Sequence, residues 1–406
     1  AQFDLDGVWE SVQTSLNLQD LLQKPLFLSI FGFVAQAKKF EIQRWQKLSS
    51  ESDQMEYLFD RYWDAVMEQQ LVENRELEQG IKSKTYGRKD LPSKKYLRRS
   101  LVFVAKTMER DTQTEWLIEK IQPSCLFLKR QKCQLRLVVG LILGLFSALV
   151  FALASELGII HEELIIGLTS VIFVGLLSGL IGILIGDFKS IDLVEALHFP
   201  LSRFAIKEML CSLRNNLFFG LIIGMCIGLI SGLFTCLFFW IRFGKIHLDT
   251  IWITHLVIVG LIGGLIRGMI RGLKAGIDNR ILPNQGIKNS RQNTYYLFTA
   301  AFGISRFLKP FLESLLKSVV PTSYISDLAF SFLAVFVGAS VLMGGGLALF
   351  QHIVLRIVLA WNGYAPYRYD KLLDYCTERL LLQRIGGRYR FMHKLLQEHF
   401  AKMSLD

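Results

Sequence analysis

Long uncharged apolar runs in the middle of the chain restrict its fold more than any other feature. Residues 137–157 hold no charge before Glu156, and residues 164–186 and 217–241 hold none at all. A helix of that length covers the hydrocarbon layer of a bilayer, about 30 Å, and satisfies its backbone internally, so each run predicts a crossing helix. Residues 251–266 extend the series through Met269 and Ile270, with Arg267 and Arg271 long enough to snorkel to an interface. Two weaker spans, 295–304 and 328–343, complete an expectation of about six transmembrane helices in three hairpins; the fifth meets Arg306, Lys309 and Pro310 early. Residues 347–361, with Gln351, His352 and Arg356, read as an amphipathic helix lying on the bilayer surface. Hydrophobic residues make up 51% of the chain and charged ones 20%, which excludes a disordered chain and argues against an ordinary soluble enzyme.

Charge then predicts orientation, because Lys and Arg accumulate on cytoplasmic loops. Lys129, Arg130, Lys132 and Arg136 precede the first run, whereas the connection after it carries Glu156, Glu162 and Glu163. Bases return at Lys189, Arg203, Lys207 and Arg214, and again at Arg267, Arg271, Lys274, Arg280, Lys288 and Arg291. Both termini are expected on the cytoplasmic side of the membrane. The net charge of +11 is then accounted for by topology, and no nucleic-acid partner is expected. The chain opens on Ala1 without a charged-then-apolar leader, so no signal peptide is expected and the chain reads as a piece of a longer protein. Six cysteines without a CxxC pair indicate neither a disulfide framework nor a zinc site.

Glycine recurs every four residues at Gly220, Gly224, Gly228 and Gly232, and again at Gly260, Gly264, Gly268, Gly272 and Gly276. Such rows place small residues along one helix face and predict close helix packing; a glycine-lined pore or a homo-oligomer interface is the alternative.

The flanks are polar and helical. Residues 18–37 cluster apolar side chains around Pro25, and Asp53 with Glu56 suggests a capping box opening a helix over 55–71. Ser93 can cap a helix over 94–109 whose apolar face is Leu97, Leu101, Val104 and Met108. In the tail, a helix over 369–382, a turn at Gly386 and Gly387, a strand over 389–391 and a helix over 393–403 are expected. No GxxxxGK[ST], HExxH or GxSxG occurs, and no catalytic residue or metal ligand is assigned. The pairs Glu162-Glu163 and Asp4-Asp6 read as solvated surface, and His255 as a buried polar group bonded between helices.

The tail segment Tyr389-Arg390-Phe391-Met392-His393-Lys394-Leu395-Leu396-Gln397-Glu398-His399-Phe400-Ala401 resembles the close of the winged-helix region in NACHT-type STAND NTPases. Residues 372–387 resemble the approach to it in membrane-attached bacterial members. Gln23-Lys24-Pro25-Leu26-Phe27-Leu28 resembles the proline-containing helix start of the family's lid, and Tyr57-Leu58-Phe59-Asp60 its next helix. Asn284-Gln285-Gly286-Ile287 and Gln351-His352 with Leu355-Arg356 resemble recurrent pieces of the same proteins' membrane region. The chain departs from the pattern at Arg388, where a third glycine is common, and at His399, which is usually aromatic.

The resemblance places the three hairpins of this all-α membrane protein within a single helical, winged-helix-like cytoplasmic domain, and it implies the inner or plasma membrane of a bacterium. It divides the chain into a lid and first winged-helix part over 1–134, a transmembrane part over 135–361 and a closing winged-helix part over 362–406. It implies that Pro25 contacts an adenine and His393 a phosphate, although Pro25 can equally be a helix start and His393 a cap. The family's phosphate loop and magnesium-binding strand are not in this chain, so ATP or ADP with Mg is implied only together with an upstream NACHT core. The implied function is the membrane-anchored switch portion of such an NTPase, with the bilayer, that core and further copies of the chain as partners. A small multi-pass transporter or channel with glycine-packed helices is the alternative.

Overall fold

The computed structural model describes residues 12–13, 15–69, 83–87, 91–156, 282–316 and 345–405, with isolated positions between 172 and 340. Helix α1 (Leu16–Leu22) is capped by Ser15, whose hydroxyl accepts from the Leu18 amide. Helix α2 (Pro25–Gln36) begins at Pro25, where the missing amide proton costs nothing and the fixed φ suits the first turn. Phe27, Ile30, Phe31 and Val34 of α2 are buried at helical spacing. After the short α3 (Ile42–Trp45), α4 (Glu51–Glu68) buries Tyr57, Leu58, Phe59, Tyr62, Trp63 and Val66. Its cap is Ser50, whose Oγ accepts from the Asp53 amide at 3.0 Å. The box expected from Asp53 and Glu56 is thus corrected: a hydroxyl three residues ahead of Asp53 reaches that amide first. Phe27 meets Phe59 with ring centroids 5.6 Å apart, locking α2 on α4.

Helix α5 (Lys94–Arg110) is capped by Ser93 and buries Leu97, Leu101, Val104 and Met108. It packs against the last helix, α10 (Lys394–Lys402), with the Lys106 ammonium donating to the Ala401 carbonyl at 2.7 Å. Two antiparallel ladders occur among the described residues. The first joins only two residues on each side, β1 (Ala196–Leu197) and β2 (Lys274–Ala275). The second follows α9 (Tyr369–Glu378) and is the hairpin of β3 (Leu382–Ile385) and β4 (Arg388–Phe391), turning at Gly386 with φ of 60°. A mirror-image turn of this kind favours glycine. Trp116 pairs with Tyr389 on the other side of β4: the Trp116 amide donates at 2.6 Å and the Tyr389 amide at 2.9 Å. Segments lying before and after residues 129–361 therefore share one core.

Three long helices belong to the apolar middle: α6 (Lys129–Glu156), α7 (Gln285–Leu316) and α8 (Leu347–Trp361). Here the structure corrects the hydropathy reading, because among the described residues no helix is long and apolar enough to cross a membrane. Helix α6 opens with Lys129, Arg130, Lys132 and Arg136 and buries Leu135 and Val139 in the protein core, while Leu141, Leu145 and Leu149 are exposed. Helix α7 runs through the expected fifth span with Lys288, Arg291, Arg306, Lys309 and Glu313 along it and Pro310 inside it. Helix α8 has 15 residues, short of the roughly 20 a crossing needs. The all-α fold with six transmembrane helices, the transmembrane description of 135–361 and the placement in a bacterial inner membrane with both termini cytoplasmic are therefore not supported. The runs at 164–186, 217–241, 251–270 and 328–343 fall outside the described residues, apart from isolated positions. So do His255, Glu162, Glu163, Asp4, Asp6 and the glycine rows Gly220, Gly224, Gly228, Gly232, Gly260, Gly264, Gly268, Gly272 and Gly276.

The surface-helix reading of 347–361 is corrected as well. Gln351, His352, Val354, Leu355, Val358 and Leu359 of α8 are all buried, so its polar residues face protein. A 3-10 turn at Ile118–Lys120 supplies the partner of His352. The Ile118 carbonyl lies 3.2 Å from His352 Nε2, and Glu119 Oε2 accepts from the Gly286 amide at the start of α7 at 2.6 Å. Gln122 bonds both backbone groups of Ile191.

Candidate functional site

Pro25 and His393, at opposite ends of the chain, line one cleft of about 790 Å³. Its walls come from the first turns of α2 and α10, from Tyr62 of α4 and from Leu380, between α9 and β3. Leu26, Ile30, Phe33 and Leu396 make the surface mostly apolar, and Lys24, Ser29 and His393 give it polar points. Two helix N-termini thus converge, each bearing a partial positive charge from its unpaired amides. The combination suits a ligand with one flat apolar part and one anionic part.

Local chemistry fixes His393. It is the N-cap of α10, in extended conformation, and its Nδ1 accepts from the Leu395 amide at 3.1 Å. An accepting Nδ1 puts the proton of the neutral ring on Nε2, so the exposed ring offers an N–H donor to the cleft. On the opposite side, the Ser29 hydroxyl donates to the Pro25 carbonyl at 3.0 Å, and Lys24 is ion-paired with Glu51.

Two residues that the sequence does not single out complete the floor. The Tyr62 hydroxyl donates to the Leu380 carbonyl at 3.0 Å, and burial pushes its pKa up to about 12, which keeps it a donor. Leu380 has φ of 58° and is 50% exposed. A branched apolar residue held in the left-handed region costs about 1 kcal/mol or more, and such strain gathers where function needs a shape. Tyr62 stands in no motif, and Leu380, although within the segment 372–387, looks like one more apolar residue of a helix; only its backbone angle reveals it.

No carboxylate lines the cleft, so its residues fit the base and phosphate of a nucleotide but offer no ligand to magnesium. Among the described residues no group of His, Cys, Asp and Glu could hold a metal ion. Comparison of the chain with protein-family models, curated proteins and solved structures finds no match. The resemblance to NACHT proteins therefore rests on the short sequence segments alone.

Proposed function

We propose that the chain is the lid and winged-helix-like switch portion of a NACHT-type NTPase, and that the Pro25–His393 cleft is its nucleotide-facing surface. One observation carries the reading: Pro25 and His393, which belong to separate motifs at opposite ends of the chain, line the same cleft. In this assignment Pro25, Leu26 and Ile30 bear on the base, while His393 Nε2 donates to a phosphate oxygen. Together with an upstream NACHT core, a nucleotide held here would supply the phosphoryl chemistry, and this chain's residues would bind and orient it. The crossing helices required by the transporter alternative are not found among the described residues, and no observation favours that reading.

The test is ADP and ATP binding by the complete natural polypeptide. Replacing His393 with Ala is expected to weaken binding about tenfold, the worth of one charge-assisted hydrogen bond. Unchanged affinity would remove the role of His393.

A further inference from the structure

A second cleft, of about 490 Å³, is lined by Lys94, Lys95, Arg98 and Arg99 with Trp63 and Ser404, and no carboxylate lines it. All four cations stand in the first two turns of α5, and its first turn holds no acid. That placement works against the helix, since the N-terminal end of the macrodipole is positive. Lys94 with Arg98 and Lys95 with Arg99 are also like-charged pairs four residues apart, which destabilise a helix further. Helix stability does not account for them.

The two arginines are held in place while keeping donors to spend. Arg98 donates to Asp60 Oδ1 at 3.2 Å and to Met403 Sδ at 3.3 Å. The Arg99 guanidinium lies over the Tyr364 ring, 5.1 Å from its centroid, and its buried Nε has no hydrogen-bond partner. Among the described residues neither Lys94 nor Lys95 nor Arg99 forms a hydrogen bond or ion pair through its side chain. Pre-set guanidinium forks beside flexible ammonium groups match tetrahedral oxyanions, and a cleft with this many cations favours a ligand carrying several negative charges.

We propose that this cleft binds a small polyphosphate, either inorganic or the phosphate chain of a nucleotide, independently of the Pro25–His393 cleft. The test titrates the full chain with tripolyphosphate, with ATP, and with sulfate at matched ionic strength, by calorimetry. Saturable tripolyphosphate binding is expected. It should weaken about tenfold or more in the Lys94→Ala/Lys95→Ala double variant, whose exposed side chains can be removed without touching the core, and stay unchanged in His393→Ala. Equal affinity for tripolyphosphate and ATP identifies the phosphate chain alone as the ligand, and tighter ATP binding with the same lysine dependence identifies a nucleotide. Three results would each overturn the proposal: no saturable binding of tripolyphosphate, tripolyphosphate binding no tighter than that of sulfate, or tripolyphosphate binding that ignores the lysines.

Discussion

Two regions on either side of the end of α9 differ in how they use polar groups. Arg379, at that end, is 3% exposed and spends its guanidinium on protein: Nη1 donates to the Val66 and Gln69 carbonyls at 2.6 and 2.7 Å, and Nε to the Tyr375 hydroxyl at 3.1 Å. It closes the C-terminal end of α4, where orphan carbonyls attract a cation. One residue further along, Leu380 turns left-handed and half-exposed into a cleft where, among the described residues, His393 Nε2 has no hydrogen-bond partner. The first region is built to hold the chain's two ends together. The second is built to leave donors and apolar surface for something else.

The largest effect should come from the closed region. Arg379→Ala leaves one buried carbonyl, one half-buried carbonyl and a tyrosine hydroxyl short of a donor, and is expected to cost about 3 kcal/mol or more in chemical denaturation. A loss below about 1 kcal/mol would show that the seam does not hold the ends together.

Next in size is His352, which is 1% exposed. Burial, with the neighbouring Arg356, lowers its pKa to about 4 despite its bond to the Ile118 carbonyl. The unfolded chain then takes up the proton first as pH falls, from the ordinary value near 6.5. Stability contributed by this group is complete above that value, falls between 6.5 and 4, and levels off below, by about 3 kcal/mol in all. His352→Gln should flatten that window in denaturation curves measured at stepped pH; an unchanged slope would place the titration elsewhere.

Smaller effects should appear at the open region, and there stability and binding should separate. Leu380→Gly relieves the left-handed backbone and is expected to stabilise the fold by up to about 1 kcal/mol, offset in part by removal of a half-buried side chain, while weakening the ligand. His393→Ala removes a cap and should cost about 1 kcal/mol; His393→Ser should restore that stability without restoring nucleotide affinity. If serine restored both, the histidine would be a cap only.

Local signals are legible in the sequence where one short segment carries them. Ser93 and the spacing of Leu97, Leu101, Val104 and Met108 define α5, and Gly386 with Gly387 marks the hairpin turn. The end of α9 is not legible: the expected helix over 369–382 stops at Glu378, because Leu380 takes the left-handed turn that glycine normally supplies, and β3 follows. Nor is the setting of α8, whose Gln351 and His352 look solvent-facing until the distant Ile118 turn is beside them. Hydropathy fails at the two expected spans that fall among the described residues, 137–157 and 295–304, for a related reason. It weighs apolar residues in a window and cannot register the protein core that takes up Leu135 and Val139 of α6. The pairing of Pro25 with His393 follows from the closure of the chain's ends on one another, which no local window contains.

The most direct test of that pairing is photolabelling of the complete polypeptide with 8-azido-ADP, followed by peptide mapping. Label is predicted on peptides carrying residues 24–33 and 392–396 together, suppressed by excess ADP. Label confined to other peptides, or labelling of one of these two segments without the other, would contradict a shared nucleotide-facing cleft.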